Sequence, residues 1–364
     1  MSKDKALFLQ LASVGLTVEQ ISEQHSYELE RIRAFGLEAD VRIVRENDKD
    51  GFVAACKGYS IVLCGGNPPL SRDVVSRLDD SFLFIRYGIG INTIDTQACT
   101  EYGKLVYFMP GYCGPEIALH ALALILSLLR NVGYYDRELR KGHFAKGGGP
   151  IPRRLQNLRV GLYGLGVTGI ELSRILRSGF GCELIACDPY VKTETADQLG
   201  VELVDFDTLL RQSDILSIHA PLTSETHHIF NRDAFQKMKH DAMIINTSRG
   251  PLIDEAALFE ALRDGTIGSA GLDVFEVEPI KPDNLLLALD NVVLTPHSAY
   301  NGLESTHRQY ELAAEFVESF MCRRIIPRYI ANRDVLPLWQ KKGYALDSSS
   351  EGENRIGKNF FMKE

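Results

Sequence analysis

The sequence predicts an α/β protein built on parallel sheets with helices on both faces, and three observations predict it. Short apolar runs alternate with helix-like segments nearly throughout the 364 residues, as expected for parallel strands joined by helical crossovers. The segment "VGLYGLGVTGIELSRIL" sets Gly164, Gly166 and Gly169 in a GxGxxG spacing between a strand-like and a helix-like run. Finally, His219, Arg249, Asp273 and His297 each stand at the carboxyl end of a strand-like run, where open parallel sheets bind their ligands.

Taken in order, the first part offers strands at Ala6–Leu11, Asp40–Val44, Tyr59–Cys64, Leu83–Arg86 and Leu105–Phe108. Helix-like stretches such as Thr17–Phe35 and Ser71–Leu78 lie between them. "RKGHFAKGGGPIPRR" (Arg140–Arg154) then breaks the pattern with glycine, proline and basic residues. It reads as a linker or surface loop whose charges are solvated. The rhythm resumes with strands at Arg159–Tyr163, Glu183–Cys187, Ile215–His219, Ala242–Asn246, Gly268–Asp273 and Val292–Leu294. From Lys341 onward the chain is polar and aperiodic, and is expected to be mobile or weakly docked.

Composition narrows the function. The length suits two domains of roughly 100–200 residues each. A net charge of −8 argues against nucleic acid or an anionic membrane as the main partner. It does not exclude a small acid, because one local arginine outweighs a diffuse negative field. Seven cysteines without a CxxC pair point to a reduced, cytoplasmic setting rather than a disulfide framework. No cleavable leader stands out at the start. The longest apolar run, Ile117–Leu129, contains His120 and falls short of the ~18–20 residues of a membrane span, so it is expected as a buried helix. No metal is expected.

The glycine spacing has a physical purpose. Gly164 allows a tight turn, Gly166 lets the backbone approach a pyrophosphate, and Gly169 lets helix and strand pack closely, with the helix N-terminus facing the phosphates. About twenty residues on, the run "ELIAC" ends at Asp188. A carboxylate there binds both ribose hydroxyls and repels the extra phosphate of NADP, which favours NAD.

The strand-end residues suggest the chemistry. "MIINTSRGPLID" turns from a buried strand straight into Arg249. A guanidinium matches a carboxylate two bonds at a time. Beside a nicotinamide it would hold a 2-oxo or 2-hydroxy acid and polarise its carbonyl. Reduction also needs a proton, for which histidine is the natural donor near neutral pH, and a neighbouring carboxylate favours the imidazolium. His297 and Glu278 fit those roles. Each of these residues alone has an ordinary structural explanation; their joint occurrence after a nucleotide loop carries the weight.

At this point "GLYGLGVTG", "CDPY", "HAPLTSETHHIF", "MIINTSRGPLIDEAAL", "GLDVFEVEP" and "LTPHSAY" resemble the D-isomer-specific 2-hydroxyacid dehydrogenases. The similarity is strongest to the branch of hydroxypyruvate reductases and C-terminal-binding-protein corepressors. Upstream, "YGIGINTIDTQACTEYG" and "PGYCGPEIALHALALILSLLR" resemble the family's substrate loop and inter-domain helix. The resemblance implies two Rossmann-like or flavodoxin-like domains. An NAD-binding domain, 114–304, would be inserted into a discontinuous substrate domain, 1–113 and 305–364. It implies that Arg249 binds the substrate carboxylate and carbonyl, that His297 is the acid/base with Glu278 as its partner, and that Asp273 fixes the nicotinamide carboxamide. Val167 and Thr168 would meet the pyrophosphate. His219, Ala220, Pro221, Thr226, Thr247 and Ser248 would line the cofactor, and Gly88, Ile89 and Gly90 would hold the substrate with backbone amides. A homodimer is implied as well.

The sequence departs from the family pattern at Asn92, where an aspartate is usual, and at Ser298, where an apolar residue or glycine is often seen. The substrate's identity is therefore left open. The absence of a recognisable regulatory domain argues against a long-form phosphoglycerate dehydrogenase. The leading expectation is NAD-dependent reduction of a small 2-oxo acid to the D-2-hydroxy acid. The alternative is an NAD(H)-sensing corepressor or scaffold of the same fold. An enzyme acting on formate fits less well, since Glu278 stands where such enzymes usually carry glutamine.

Overall fold

The structure, a computed structural model, describes residues 4–12, 15–144, 146 and 148–347. Among them the chain divides into two compact units: unit 1 takes 4–112 and 302–347, and unit 2 takes 113–301.

Unit 1 carries β1 (Lys5–Ala12), β2 (Glu38–Arg45), β3 (Ile61–Gly65), β4 (Leu83–Arg86) and β5 (Leu105–Tyr107). They form one parallel sheet in the order β2-β1-β3-β4-β5, the flavodoxin-like winding. Because strand side chains alternate between faces, Phe8, Leu63 and Ile85 enter one core with Ile32 and with Phe316 and Phe320 of the helix Leu303–Met321. Leu7, Leu9, Val62 and Phe84 enter the other, with Phe52 and Val74. Fully burying a side chain of this kind is worth about 1.5–3 kcal/mol. Residues from both stretches of the chain thus complete the first core.

Unit 2 carries β6 (Arg159–Tyr163), β7 (Glu183–Cys187), β8 (Val201–Leu203), β9 (Ile215–Ile218), β10 (Met243–Asn246), β11 (Ser269–Leu272) and β12 (Val292–Leu294). All pair in parallel, in the order β12-β11-β10-β9-β6-β7-β8. This is the dinucleotide-fold order extended by one strand, and the winding reverses between β6 and β9, where such sheets open a crevice. β9 and β10 are buried along their whole length, which explains why all but Ser217 and Asn246 of their residues are apolar. The helix Gly114–Leu129 lies on this sheet. A Cβ on Gly271 of β11 would stand 3.0 Å from the Leu124 Cβ, and one on Gly114 would stand 2.6 Å from the Val167 side chain. No single helix among the described residues is long and apolar enough to cross a membrane.

Several expectations need correction. The run Thr17–Phe35 is two helices, Val18–Gln24 and Ser26–Ala34, broken at His25. Thr17 and Gln20 close a capping box at the start, but the His25 ring is buried and bonds Glu28 at 2.5 Å instead of continuing the helical face. Ser71–Leu78 shrinks to a single turn, Arg72–Val75. Arg140–Arg154 is not a linker between the units but a surface loop inside unit 2, tied back by Asn131 Nδ2 to Pro150 O (2.9 Å) and by the Tyr135 hydroxyl Oη to Gly148 O (2.9 Å). Of the two alternatives for the tail, its start takes the docked one. β13 (Ile325–Ile326) pairs with β14 (Ala345–Leu346), and Tyr344 stacks on Phe320 at 4.5 Å. The remainder of the tail, 348–364, lies outside the described residues.

Candidate active site

Strand register builds the site. The paired positions Tyr163↔Cys187, Tyr163↔Ile218, Ile218↔Asn246, Asn246↔Leu272 and Leu272↔Leu294 put the last residues of neighbouring strands side by side. The next residue of each strand therefore forms a row along the carboxyl rim: Asp188, Gly164, His219, Thr247, Asp273 and Thr295. Neighbours in such a row are about 4.8 Å apart.

At the reversal point Gly164 has φ +97°, and a Cβ there would fall 2.8 Å from the His219 carbonyl carbon. Only glycine fits this turn. A Cβ on Gly169 would fall 2.5 Å from Gly164 O, so a second glycine lets the helix Val167–Phe180 approach the turn. That helix begins after Gly166 with no side-chain cap, and Val167 and Thr168 open it, where amides point outward. Asp188 Oδ2 accepts the Leu165 amide at 2.7 Å, and Oδ1 accepts those of Tyr190 (2.8 Å) and Val191 (3.1 Å). A carboxylate is thereby fixed beside the glycine turn.

Two buried polar groups in the middle of the row lack protein partners. Neither ring nitrogen of His219 nor the Thr247 hydroxyl finds a hydrogen bond among the described residues. Burial pulls the His219 pKa down to about 4, so the ring is neutral at neutral pH, with one donor and one acceptor to offer. Buried polar atoms left this way cost free energy unless a ligand or water completes them. A bare glycine turn, open helix amides, a rim carboxylate and orphaned polar atoms together fit a dinucleotide. Ser248 and Thr226 are already engaged. Ser248 Oγ bonds Ile218 O at 2.9 Å, and Thr226 Oγ bonds Pro221 O at 2.8 Å, which closes the turn after Ala220 and Pro221.

Further along the rim, the buried Asn246 side chain folds the next turn. Its Oδ1 accepts the Ser248 amide (3.0 Å) and its Nδ2 donates to Arg249 O (2.9 Å). Arg249 is thus turned out of the strand end. A Cβ on Gly250 would lie 1.9 Å from the Phe275 carbonyl, so the segment Phe275–Glu278 crosses directly over Gly250. That crossing brings Glu278 into the electrostatic reach of Arg249. Glu278 Oε1 accepts the Phe275 amide at 3.0 Å, and Oε2 lies 2.6 Å from His297 Nδ1. Burial works to raise the Glu278 pKa, but the bonds from His297 and Phe275, with the charges of His297 and Arg249, outweigh it and hold the carboxyl below its usual range. Cation, acid and imidazole stand together, and the His297 side chain remains 41% exposed.

Asp273 is fully buried. Its Oδ1 accepts the Thr295 hydroxyl (2.6 Å) and the Ser298 amide (2.9 Å), and its Oδ2 accepts the Ala299 amide (2.9 Å). It anchors the turn that carries His297. Thr295 and its partner His120 were not singled out from the sequence as site residues; counting register from the strand ends would have found Thr295. In unit 1, Gly88 (φ +137°) leaves β4, and its carbonyl accepts the Met109 amide at 3.1 Å. Ile89 and Gly90 follow it there. Among the described residues no group of three or more His, Cys, Asp or Glu side chains is placed to hold a metal.

Comparison with known proteins bears on the family and the cofactor. Residues 122–299 match the family model described as D-isomer specific 2-hydroxyacid dehydrogenase, NAD binding domain. A D-3-phosphoglycerate dehydrogenase of Archaeoglobus fulgidus is 35% identical over 290 residues, covering 80% of this chain and 54% of that protein. The chain therefore spans about half the length of that relative. A glyoxylate reductase of Korarchaeum cryptofilum is 35% identical over 271 residues, covering 74% of this chain and 81% of the relative. Among solved structures, a D-lactate dehydrogenase from Aquifex aeolicus complexed with NAD and lactic acid superposes with a TM-score of 0.75 at 26% identity, covering 88% of this chain and 96% of that one.

Proposed function

This chain belongs to the D-isomer specific 2-hydroxyacid dehydrogenase family, with its NAD-binding domain at residues 122–299, and on that premise we propose that it reduces a small 2-oxo acid, of the glyoxylate, hydroxypyruvate or pyruvate kind, to the D-2-hydroxy acid. The observation that carries the reading is the 2.6 Å pairing of His297 with Glu278, in the reach of the Arg249 charge.

Gly164, Gly166 and Gly169 leave room for the dinucleotide's phosphates, and the amides of Val167 and Thr168 receive them. Asp188 takes the ribose hydroxyls. His219, Ala220, Pro221, Thr226, Thr247 and Ser248 line the rest, and Asp273 fixes the carboxamide. NADH, when bound, supplies a hydride to C2 of the acid. Arg249 grips the carboxylate and polarises the carbonyl. His297 passes its proton to the carbonyl oxygen, and Glu278 stabilises the charged ring until it does. Proton transfer of this sort contributes ~10²–10⁴ in rate. Gly88, Ile89 and Gly90 are proposed to bind the acid through their backbone amides.

In this reading two copies associate through unit 2. Support comes from apolar side chains left in water on one stretch of it, Leu119, Val132, Leu139, Phe144 and Ile151, the last 92% exposed. Phe144→Glu is expected to halve the mass measured by light scattering; an unchanged mass removes that face from consideration. We assign the protein to the cytoplasm, in keeping with seven cysteines that form no CxxC motif.

The activity is tested by mixing the purified protein with NADH and a panel of glyoxylate, hydroxypyruvate, pyruvate and branched 2-oxo acids while following absorbance. Turnover on at least one, lost in Arg249→Ala and in His297→Ala, is expected. Tight NADH binding without turnover on any would refute the enzyme and favour a sensor of the dinucleotide.

A further inference from the structure

We infer that His120 and Thr295 are positioning residues for His297, acting through the buried carboxylate of Asp273. The inference rests on the reading of His297 as the proton donor.

His297 sits at φ +52°, in the left-handed region that an L-residue occupies only when its surroundings hold it there. Asp273 does the holding. Its carbonyl accepts the His297 amide at 2.7 Å, and its carboxylate accepts the next two amides, Ser298 on Oδ1 and Ala299 on Oδ2, each at 2.9 Å. Three consecutive N–H groups thus converge on one buried side chain and its backbone, a concave arrangement of amides that suits an anion. The turn is only as fixed as the rotation of that carboxylate.

The rotation is set from the other side. The Thr295 hydroxyl lies 2.6 Å from Asp273 Oδ1 and 2.9 Å from His120 Nε2. A hydroxyl has a single hydrogen to give. The carboxylate can only accept it, so toward His120 the Thr295 oxygen is the acceptor and Nε2–H is the donor. The same Nε2 stands 3.5 Å from Asp273 Oδ1. His120 belongs to the helix Gly114–Leu129, whose inner side chains, among them Leu124, are fixed against β11. A directed chain of donors therefore runs from that helix through Thr295 to Asp273, whose carboxylate also accepts the amides of the two residues that follow His297. Among the described residues none of its members bonds the His297 ring, whose partner is Glu278. Their work is to keep the ring aimed at Glu278 and at the reacting oxygen.

Both interior links can be cut without adding charge. Thr295→Val keeps the shape of the side chain and removes the hydroxyl, Thr295→Ser restores it, and His120→Phe removes the first donor. Two readouts on the full-length protein are needed. In the steady state with NADH and glyoxylate, Thr295→Val and His120→Phe are expected to lower kcat by about tenfold or more, since small displacements of a reacting group cost up to ~10² in rate. KM for NADH should stay within about twofold, and Thr295→Ser should recover most of kcat. In hydrogen exchange, the Ser298 and Ala299 amides should exchange about tenfold faster in both crippled variants and at the native rate in Thr295→Ser, as for loss of one bond to a charged group. Native kcat in both variants, equal damage in Thr295→Ser and Thr295→Val, or unaltered exchange would each overturn the inference. If the native protein reduces no 2-oxo acid, the proposed function fails on its own, and the exchange rates alone then decide whether His120 and Thr295 hold the turn.

Discussion

The buried imidazole of His219 should make the folded protein sensitive to acid in a way that one substitution removes. Its pKa lies at about 4 in the folded chain because burial penalises the charged ring, against about 6.5 when unfolded. Between those two values the unfolded chain binds a proton that the folded chain refuses, so stability falls as the pH falls. Integrating the two titrations gives almost no penalty at about pH 7 and about 2 kcal/mol at about pH 5. Below the lower pKa the full loss of about 3 kcal/mol has accrued. His219→Asn keeps a polar side chain in place and cannot titrate. Urea unfolding of both proteins at the two pH values, read as native minus variant, cancels the carboxylates and the other histidines, which titrate in both. That difference should shrink by about 2 kcal/mol on acidification. A difference that stays level with pH would mean that His219 takes up its proton in the folded state at no cost, which contradicts its burial at the rim.

Other perturbations follow from the same geometry. Asp188→Ala should raise KM for NADH about tenfold, as for the loss of one good charge-assisted bond, while improving NADPH relative to NADH; equal use of both cofactors by the native protein would count against the role given to Asp188. Glu278→Gln removes the carboxylate that steadies the His297 imidazolium, so reductive kcat should fall by about ten- to a hundredfold and kcat/KM should lose its plateau at a lower pH on the alkaline side. Because the Glu278 pKa is held below its usual range, its charge is present throughout neutral pH, and the native acid limb should not reflect its protonation until well into the acid range. Gly250→Ala would put a methyl 1.9 Å from the Phe275 carbonyl. It should cost both about 1–3 kcal/mol of stability and most of the activity, and a variant with native kinetics would show that the crossing of Phe275–Glu278 over Gly250 is not needed.

The strands and their polar ends were readable because each reports on a local rule. Strands β4, β6, β7 and β12 match the expected limits residue for residue, since apolar runs bounded by polar turns define their own ends. The glycine spacing was readable because steric need at Gly164 is written in one residue. What escaped was whatever depends on a partner distant in sequence. His25 breaks a helix because Glu28 and the surrounding rings bury it, and periodicity alone continues straight through. β13 and β14 are two residues each and exist through their mutual pairing. The hydrogen bond from His120 to Thr295 joins positions 175 residues apart. The sequence shows a histidine in an apolar run, while the helix packing that aims it exists only in the fold. Asn246 was hidden for a related reason: it looks like the last residue of a strand, and its task is to fold the turn that presents Arg249.

The left-handed backbone at His297 carries a consequence for how this protein can change over time. Glycine would occupy that position without penalty, and asparagine nearly so. Keeping an imidazole there forgoes about 1 kcal/mol that the chain could otherwise recover. His297→Gly should therefore relieve the backbone but give up the 2.6 Å pairing with Glu278, and produce an inert protein with little gain in stability. A lineage released from selection for turnover would have to lose Glu278 as well before the relaxed backbone made it sturdier.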